Sequence, residues 1–290
     1  MKVSITGSGG FIGSEITRNF KEHSIEIIRL SRDLLQNDCT EIAEAIKSSD
    51  VVINLAGAPI FSGRWNQKKK DLIYNSRINT TRKLVQSISL LEESIRPTLL
   101  LNASAIGVYS PHKIHDEYSA DLRNDFLGKV IKDWEKEANR VTEYKVRVAI
   151  LRFGLVIGKN GGVLNRLLPL YRIGLGGKLG NGKQPFPYVC IEDIINAINF
   201  LITHPECNAV YNLTAPVNCT QKEFSSILAH TLHRPAIFTV PAFVLKILLG
   251  KSSHELLHTP HVISRRLTEA GFKFEYPDLQ STLNYLQLRY

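Results

Sequence analysis

The sequence predicts an α/β protein with a doubly wound parallel sheet and a smaller, mostly helical C-terminal domain. Apolar strand patterns alternate with helical patterns through the first half of the 290 residues. Such an alternation produces right-handed crossovers and therefore parallel strands. The strand patterns are apolar on both faces, which is typical of a sheet covered by helices on both sides.

The residue patterns predict the following strands and helices, given in chain order. Strands are predicted at 2–7, 25–31, 50–57, 98–104, 145–158 and 209–216, and helices at 11–23, 41–49, 67–94 and 120–143. After residue 158 the periodicity fades, and the glycine-rich stretch 158–187 is predicted to be a long loop around a site. Residues 220–290 are mostly helical, with prolines as breaks.

Composition and charge argue against several classes of protein. No run of about 18 apolar residues is present, so no membrane-spanning helix is predicted, and the N-terminus enters a strand pattern without a signal peptide. The four cysteines form no C-x-x-C pair and are predicted to be free thiols, which indicates a cytoplasmic protein. The net charge of +9 is not clustered with aromatic residues, so solvated helices and an anionic cofactor explain it better than nucleic acid does.

The stretch ITGSGGFIG joins the first predicted strand to the first predicted helix. It places Gly7, Gly10 and Gly13 three residues apart, with Phe11 and Ile12 opening the helix. Glycine permits a tight turn and close approach of the backbone to a pyrophosphate, and the helix N-terminus offers free N–H groups. The stretch therefore predicts a dinucleotide site; the alternative is a glycine-rich turn without a ligand.

The end of the second predicted strand bears on the choice of cofactor. An acidic residue there would hold a ribose 2′-hydroxyl, whereas an arginine accommodates a 2′-phosphate. The sequence RLSRD places Arg32 at the strand end and the acid, Asp33, after it. Because a guanidinium matches a phosphate bidentately, NADP(H) is favoured over NAD. The alternative is a solvent-exposed arginine in a turn.

These motifs resemble those of the extended short-chain dehydrogenases/reductases, the NAD(P)-dependent epimerase/dehydratase superfamily. TGSGGFIG resembles the T-G-x-x-G-x-x-G loop of that superfamily. DVVINLAG resembles the strand whose Leu55, Ala56 and Gly57 would lie along the cofactor. NASAIGVYS resembles the strand end that carries the catalytic serine or threonine, here Ser104. The resemblance implies a Rossmann fold.

A narrower resemblance covers the whole chain. RWNQKKKDLIYNSRINTTRKLV, GLGGKLGNGKQPFPYV and RLTEAGFKFEYPDL are similar to the branch labelled "epimerase family protein" or "cell-division inhibitor-like", which has a C-terminal domain of unknown function. This resemblance implies further cofactor contacts from Ala103 and Phe153. It does not specify a reaction.

The stretch FLGKVIKDWEKE (126–137) predicts an amphipathic helix where the superfamily carries its tyrosine and lysine. In that superfamily the tyrosine transfers a proton, and a lysine four residues later lowers its pKa and holds the ribose. Alignment on Glu135 puts Leu127 at the tyrosine position and Ile131 at the lysine position. We therefore expect this helix to be purely structural.

A literal Y-x-x-x-K occurs earlier, in YSPHK. Pro111 lies inside it, so Tyr109 and Lys113 are not expected to share a helix face. Tyr109 alone is a candidate to face the substrate. Together with Ser104 it forms our predicted catalytic set.

Four further charged residues leave alternatives open. Asp116 and Glu117 are candidate general acids or bases, or a solvated pair that caps a helix. Arg77 and Arg152 could meet an anionic substrate or pair with carboxylates.

The stretch GLGGKLGNGKQPF is predicted to be a mobile cover over the nicotinamide end of the cofactor. Gln184 is its candidate polar contact. We expect bound cofactor to protect 174–187 from proteolysis.

HELLH (254–258) matches the zinc-protease signature H-E-x-x-H. Pro260 closes the helix at once and no spaced third histidine follows, so no metal site is predicted.

We divide the chain into an NADP-binding Rossmann domain at 1–157 and a C-terminal substrate-binding part at 158–290, with 186–216 returning to the first domain. Two functions remain open. One is an NADP(H)-dependent oxidoreductase or epimerase with a rearranged acid; the other is a cofactor-bound sensor without turnover. We expect a small-molecule substrate, neither nucleic acid nor membrane as a partner, and leave a homodimer open.

Overall fold

The computed structural model describes residues 1–61, 63, 65–111 and 113–288 of the chain. The strands in these ranges are β1 (Lys2–Thr6), β2 (Glu26–Leu30), β3 (Val51–Asn54), β4 (Leu99–Ala105), β5 (Ile114–His115), β6 (Arg147–Phe153), β7 (Leu155–Gly158), β8 (Gly161–Gly162), β9 (Gly177–Leu179), β10 (Tyr188–Cys190), β11 (Val210–Leu213), β12 (Phe238–Val240) and β13 (His261–Val262). The α-helices are α1 (Phe11–Glu22), α2 (Cys39–Ile46), α3 (Gln67–Ser89), α4 (Phe126–Asn139), α5 (Leu164–Arg172), α6 (Ile191–Thr203), α7 (Gln221–Thr231), α8 (Ala242–Leu249), α9 (His254–Leu257), α10 (Arg265–Glu269) and α11 (Leu279–Tyr285). Short 3₁₀ turns lie at Leu34–Gln36, Glu93–Ile95, Ile106–Val108, Arg140–Tyr144 and Gly250–Ser253.

The central sheet is parallel throughout, in the order β2-β1-β3-β4-β6-β11. The chain runs outward from β1 to β2 and then returns to β3 on the other side of β1. The strand order therefore reverses between β1 and β3, and the carboxyl ends of strands at such a point form a ligand crevice. The predicted doubly wound parallel sheet is confirmed.

Alternate residues of the strands build two separate apolar layers. Ile53 and Leu101 belong to the layer that α1 and α6 cover. Val52 and Leu100, one residue away, belong to the layer that α2 and α3 cover. Because successive strand residues point to opposite faces, a strand must be apolar at every position to serve both layers.

The C-terminal residues form a third apolar cluster and three small sheets. Side chains from α5, α7 and α11 pack together in the cluster. The small sheets are β10-β7-β8, β9 with β12, and β5 with β13. The strand pair β5–β13 joins residues 114–115 to residues 261–262. The C-terminal part of the chain therefore pairs with its first half.

Several boundaries differ from the predictions. The helix predicted at 67–94 ends at Ser89, and the strand predicted at 145–158 is divided into β6 and β7. The stretch 158–187 is not a long loop, because β8, α5 and β9 lie within it. These elements are short, and α5 contains Pro169, so the sequence shows little periodicity there. The helix predicted from residue 120 begins at Phe126, where Asp125 accepts a hydrogen bond from Gly128 N and caps it. The division of the chain at residue 157 stays a prediction.

Within the described ranges, none of the helices combines the length and apolar character that crossing a membrane requires. All four cysteines are free thiols, as predicted: Cys39, Cys190, Cys207 and Cys219.

Candidate functional site

The glycine-rich loop between β1 and α1 forms a tight turn. Gly7 has a φ of 66°, a left-handed conformation that favours glycine. Gly10 N donates to the Gly7 carbonyl at 2.9 Å, and a Cβ atom on Gly13 would collide with the same carbonyl. Gly10 is the N-cap of α1 and offers no side-chain acceptor. The first N–H groups of α1, at Phe11 and Ile12, are therefore available to an anion.

The end of β3 lies directly against this loop. A Cβ on Gly7 would meet the Leu55 carbonyl oxygen at 2.7 Å. Thr6 Oγ1 accepts hydrogen bonds from Leu55 N at 3.1 Å and Ala56 N at 3.2 Å. The structure thus brings the predicted cofactor residues of β1 and β3 to one edge, where the strand order reverses, and Gly57 follows directly.

The apolar candidates converge from the next two strands. Ala103 on β4 lies in a buried cluster with Leu127 and Trp134 of α4. Leu55 and Phe153 pack against the same cluster. These candidates therefore surround the carboxyl ends of β3, β4 and β6.

Arg32 follows β2 by two residues and is exposed. It lies just beyond the strand that pairs with β1, where the sequence predicts the contact to a 2′-phosphate.

A buried hydrogen-bond network lies behind this edge and connects Ser104, Tyr109, Glu135, Arg152 and Asn212; we call it the Glu135 network. Arg152 Nε and Nη2 donate to the two Glu135 carboxylate oxygens, both at 2.7 Å. Ser104 Oγ donates to Glu135 Oε1 at 2.5 Å. Arg152 Nη1 donates to the Tyr109 hydroxyl at 2.7 Å, and that hydroxyl donates to Asn212 Oδ1 at 2.9 Å.

Both predicted catalytic residues belong to the Glu135 network. Tyr109 is 0% exposed and its ring stacks on His115, with centroids 5.0 Å apart. Burial raises the pKa of Tyr109, although hydrogen bonds and charge from Arg152 oppose that effect. Ser104 is 3% exposed. Their catalytic role stays a prediction, and each hydroxyl already has an internal partner.

The helix α4 presents apolar side chains where the tyrosine and lysine would stand. Leu127 and Ile131 are each 5% exposed. Ile131 packs with Val108, Tyr109 and Val262. That burial agrees with a structural role of this helix face, which stays a prediction.

The two arginines left open by the sequence have different partners. Arg152 pairs with Glu135. Burial alone would lower its pKa, but the hydrogen bonds and charge of Glu135 outweigh burial and raise it. Arg77 has no ion pair with any carboxylate of the described residues. Its Nη1 donates to the carbonyls of Ala58 and Ile73, each at 3.1 Å, and burial lowers its pKa to about 10.

The acidic candidates Asp116 and Glu117 are bound internally. Glu117 is 8% exposed and accepts hydrogen bonds from Asn212 N at 2.9 Å and from Arg265 N and Arg266 N at 3.1 and 3.2 Å. The last two amides open α10, so Glu117 caps that helix from inside the protein. Asp116 accepts from Arg265 Nη1 at 3.3 Å.

A cleft of about 650 Å³ opens between the starts of α3 and α4 and the segment 246–258. Among the residues that line it are Trp65, Phe126, Leu127, Lys246, Lys251 and His254. Leu127 both lines the cleft and lies in the cluster with Ala103. The cleft therefore reaches from the C-terminal half of the chain toward the predicted nicotinamide end.

The HELLH stretch forms α9 and its end. Arg123, 7% exposed, donates to both oxygens of Glu255 at 2.6 and 2.8 Å. His254 and His258 stack with centroids 4.3 Å apart. Across the described ranges, no group of three His, Cys, Asp or Glu residues could hold a metal ion.

The predicted cover segment is packed against its surroundings. Gln184 Nε2 donates to the carbonyls of Leu179 at 3.1 Å and Leu256 at 3.3 Å. The strand β9 within the segment pairs with β12. A contact between Gln184 and the cofactor stays a prediction.

Comparison with known families gives matches to both parts of the chain. A model of the NAD dependent epimerase/dehydratase family matches residues 3–214. A model of a domain of unknown function, DUF1731, matches residues 240–286.

Relatives and solved structures resemble the whole chain. An epimerase family protein of Staphylococcus haemolyticus is 35% identical over 289 residues, 95% of each chain. The chloroplastic homologue of epimerase family protein SDR39U1 from Arabidopsis thaliana is 34% identical, over 98% of this chain and 86% of the relative. Human SDR39U1, crystallised with NADPH, has a TM-score of 0.92 and 28% identity over 99% of both chains. The chain belongs to the NAD-dependent epimerase/dehydratase family.

Proposed function

We propose that the protein binds NADP(H) and acts as an oxidoreductase or epimerase on a small molecule, without the tyrosine–lysine pair of its superfamily. The observation that carries the proposal is the turn at Gly7–Gly13, which exposes the uncapped start of α1 where the strand order reverses. The similar human SDR39U1 was crystallised with NADPH.

The residues at this edge fit a dinucleotide. Gly7 and Gly13 permit the tight turn at the start of α1, because a side chain at either position would collide with neighbouring backbone. The free N–H groups of that helix start fit a diphosphate. Arg32, exposed after the end of β2, would donate hydrogen bonds to a 2′-phosphate. A bound nicotinamide would supply the donor or acceptor of a hydride.

The substrate would enter the cleft beside Leu127. The aromatic rings of Trp65 and Phe126, with centroids 5.7 Å apart, form one wall of that cleft. Lys246 and Lys251 lie among its lining residues. Neither Leu127 nor Ile131 can move a proton. Ser104 and Tyr109 are the candidates of this chain for that transfer.

One observation favours a second function, that of a cofactor-bound sensor without turnover. The hydroxyls of Ser104 and Tyr109 are both committed to the Glu135 network. A catalytic hydroxyl would have to exchange those partners for the substrate. A sensor needs no such exchange.

Transfer of deuterium from 4-deuterated NADPH to carbonyl compounds or nucleotide sugars separates the two functions. For an enzyme, Ser104→Ala or Tyr109→Phe lowers the rate by about tenfold or more and leaves NADPH affinity nearly unchanged. Tight NADPH binding without transfer to any compound favours the sensor. Failure to bind NADPH at all contradicts both functions.

A further inference from the structure

We propose that Arg77 is a ligand of the cofactor diphosphate, completing a site that the glycine-rich loop forms only in part. This inference rests on the proposed binding of NADP(H). It assigns a role to a residue that neither the sequence motifs nor the Glu135 network employs.

The position of Arg77 supports this role. A Cβ on Gly57 would lie 2.9 Å from Arg77 Cζ and 3.0 Å from its Nη2, so the guanidinium packs against Gly57 in the space that a side chain would fill. Gly57 is two residues from Leu55, whose carbonyl lies against Gly7. Since consecutive Cα atoms are about 3.8 Å apart, the guanidinium lies at the same edge as the glycine-rich loop.

The guanidinium is also held in place by its surroundings. Nη1 bonds the carbonyls of Ala58 and Ile73, and Cζ lies 5.2 Å from the centre of the Trp134 ring. No acceptor for Nε or Nη2 is found among the described residues. Nε and Nη2 form the pair of parallel donors with which arginine binds a phosphate.

The other inward-facing arginines show what Arg77 lacks. Arg123 and Arg152 each bind both oxygens of a carboxylate. Arg147 donates to the carbonyls of Leu201, His204 and Cys207 at the end of α6, where the helix dipole is negative. Arg77 donates hydrogen bonds to two carbonyls, and both bonds come from Nη1. An anionic ligand on its other two donors would supply the missing counter-charge.

Three nucleotide fragments separate this role from that of Arg32. ADP-ribose carries the diphosphate without the 2′-phosphate, 2′-AMP carries the 2′-phosphate without the diphosphate, and 2′-phospho-ADP-ribose carries both. Calorimetric titration of Arg77→Gln is expected to show about tenfold or greater loss of affinity for ADP-ribose and 2′-phospho-ADP-ribose, with 2′-AMP nearly unchanged. Arg32→Ala should show the complementary pattern: weaker binding of the two 2′-phosphate compounds, with ADP-ribose nearly unchanged.

The titrations also report on folding. Unchanged 2′-AMP affinity shows that Arg77→Gln retains its nucleotide site. Should that variant fail to fold, Arg77→Lys, which keeps the charge but loses the bidentate pair, is expected to weaken binding of ADP-ribose and 2′-phospho-ADP-ribose and to leave 2′-AMP binding nearly unchanged. Unchanged ADP-ribose affinity in a folded Arg77 variant overturns the proposal, and would leave Arg77 for a substrate anion or for holding Ala58. If wild type binds none of the three fragments, the proposed cofactor itself is wrong.

Discussion

Arg152 is buried and Arg77 is half-buried near the carboxyl ends of the strands, and their surroundings differ. Arg152 binds both oxygens of Glu135 and also the Tyr109 hydroxyl. Arg77 bonds two backbone carbonyls and no carboxylate among the described residues. The pKa of Arg152 is raised despite burial, whereas burial lowers the pKa of Arg77 to about 10.

The difference separates two uses of a buried charge. An ion pair such as Arg152–Glu135 needs no ligand to balance its charges. Removing one partner therefore lowers the free energy of unfolding. A cation without an internal counter-charge lowers stability until an anion binds, so it is suited to ligand binding. The following variants test each half of that distinction.

The largest effect is expected from Glu135→Ala, which leaves Arg152 buried without a counter-charge. We expect a loss of about 3–5 kcal/mol in the free energy of unfolding, measured by urea denaturation. Glu93→Ala is the matched control, because Glu93 pairs with Lys145 on the surface, where their side chains are 63% and 73% exposed. The control should leave the midpoint unchanged, and an equally small effect of Glu135→Ala would contradict the distinction.

A second effect is expected from restoring the superfamily pair, with Leu127→Tyr and Ile131→Lys together. Both changes place polar groups in apolar clusters, and we expect a loss of about 2–4 kcal/mol in unfolding free energy. Lys129→Tyr, on the exposed side of α4, should change it by less than about 0.5 kcal/mol. A double variant as stable as wild type would show that this face retains room for the pair.

Cofactor choice should depend on Arg32 by a smaller amount. Wild type is expected to bind NADPH about tenfold or more tightly than NADH, equivalent to about 1.4 kcal/mol, and Arg32→Ala should remove most of that preference in calorimetric titrations. Arg29→Ala removes the same charge from an exposed position on β2 and should preserve the preference. Equal affinities for the two cofactors in wild type would contradict the assignment.

The smallest effect is expected at Glu117, a buried carboxylate that accepts hydrogen bonds from the backbone amides of Asn212, Arg265 and Arg266. Burial raises the pKa of Glu117 above its ordinary value of 4.5, while the hydrogen bonds from Asn212, Arg266 and Arg265 oppose burial. A raised pKa in the folded state favours the protonated form. Its contribution to stability is therefore complete below about pH 4.5 and is lost as pH rises through the folded pKa.

Comparison of wild type with Glu117→Gln measures this contribution. From pH 4 to 7, the unfolding free energy of wild type should fall relative to that of the variant, because burial outweighs the hydrogen bonds and raises the pKa of Glu117 in the folded state. A wild-type advantage that grows with pH would show that the amides outweigh burial.

Sequence reasoning succeeded where the signal is local. The glycine spacing at Gly7–Gly13 and the apolar stripe with Leu127 and Ile131 are fixed by neighbours in the chain, and so are the strand patterns. The surroundings of Tyr109 could not be predicted this way, because its partner Asn212 is 103 residues away. Arg123 and Glu255 are 132 residues apart.

Short elements were missed for the same reason. The strand β9 has three residues and is defined by pairing with β12, some 60 residues later. Nothing in its own sequence distinguishes it from a glycine-rich loop. Likewise, whether Arg77 or Arg152 pairs with a carboxylate depends on which helix packs beside each, and a basic residue alone carries no such information.

The crystal structure of the NADPH complex tests most directly whether the chain keeps the cofactor half of the family's site without its tyrosine–lysine pair. We expect the diphosphate at the start of α1, within about 3 Å of Arg77 Nε or Nη2, and Leu127 and Ile131 as the α4 side chains nearest the nicotinamide ribose. A tyrosine hydroxyl and a lysine ammonium, supplied from elsewhere in the chain and both within hydrogen-bonding distance of that ribose, would contradict this description. The protein would then use the ordinary chemistry of its superfamily.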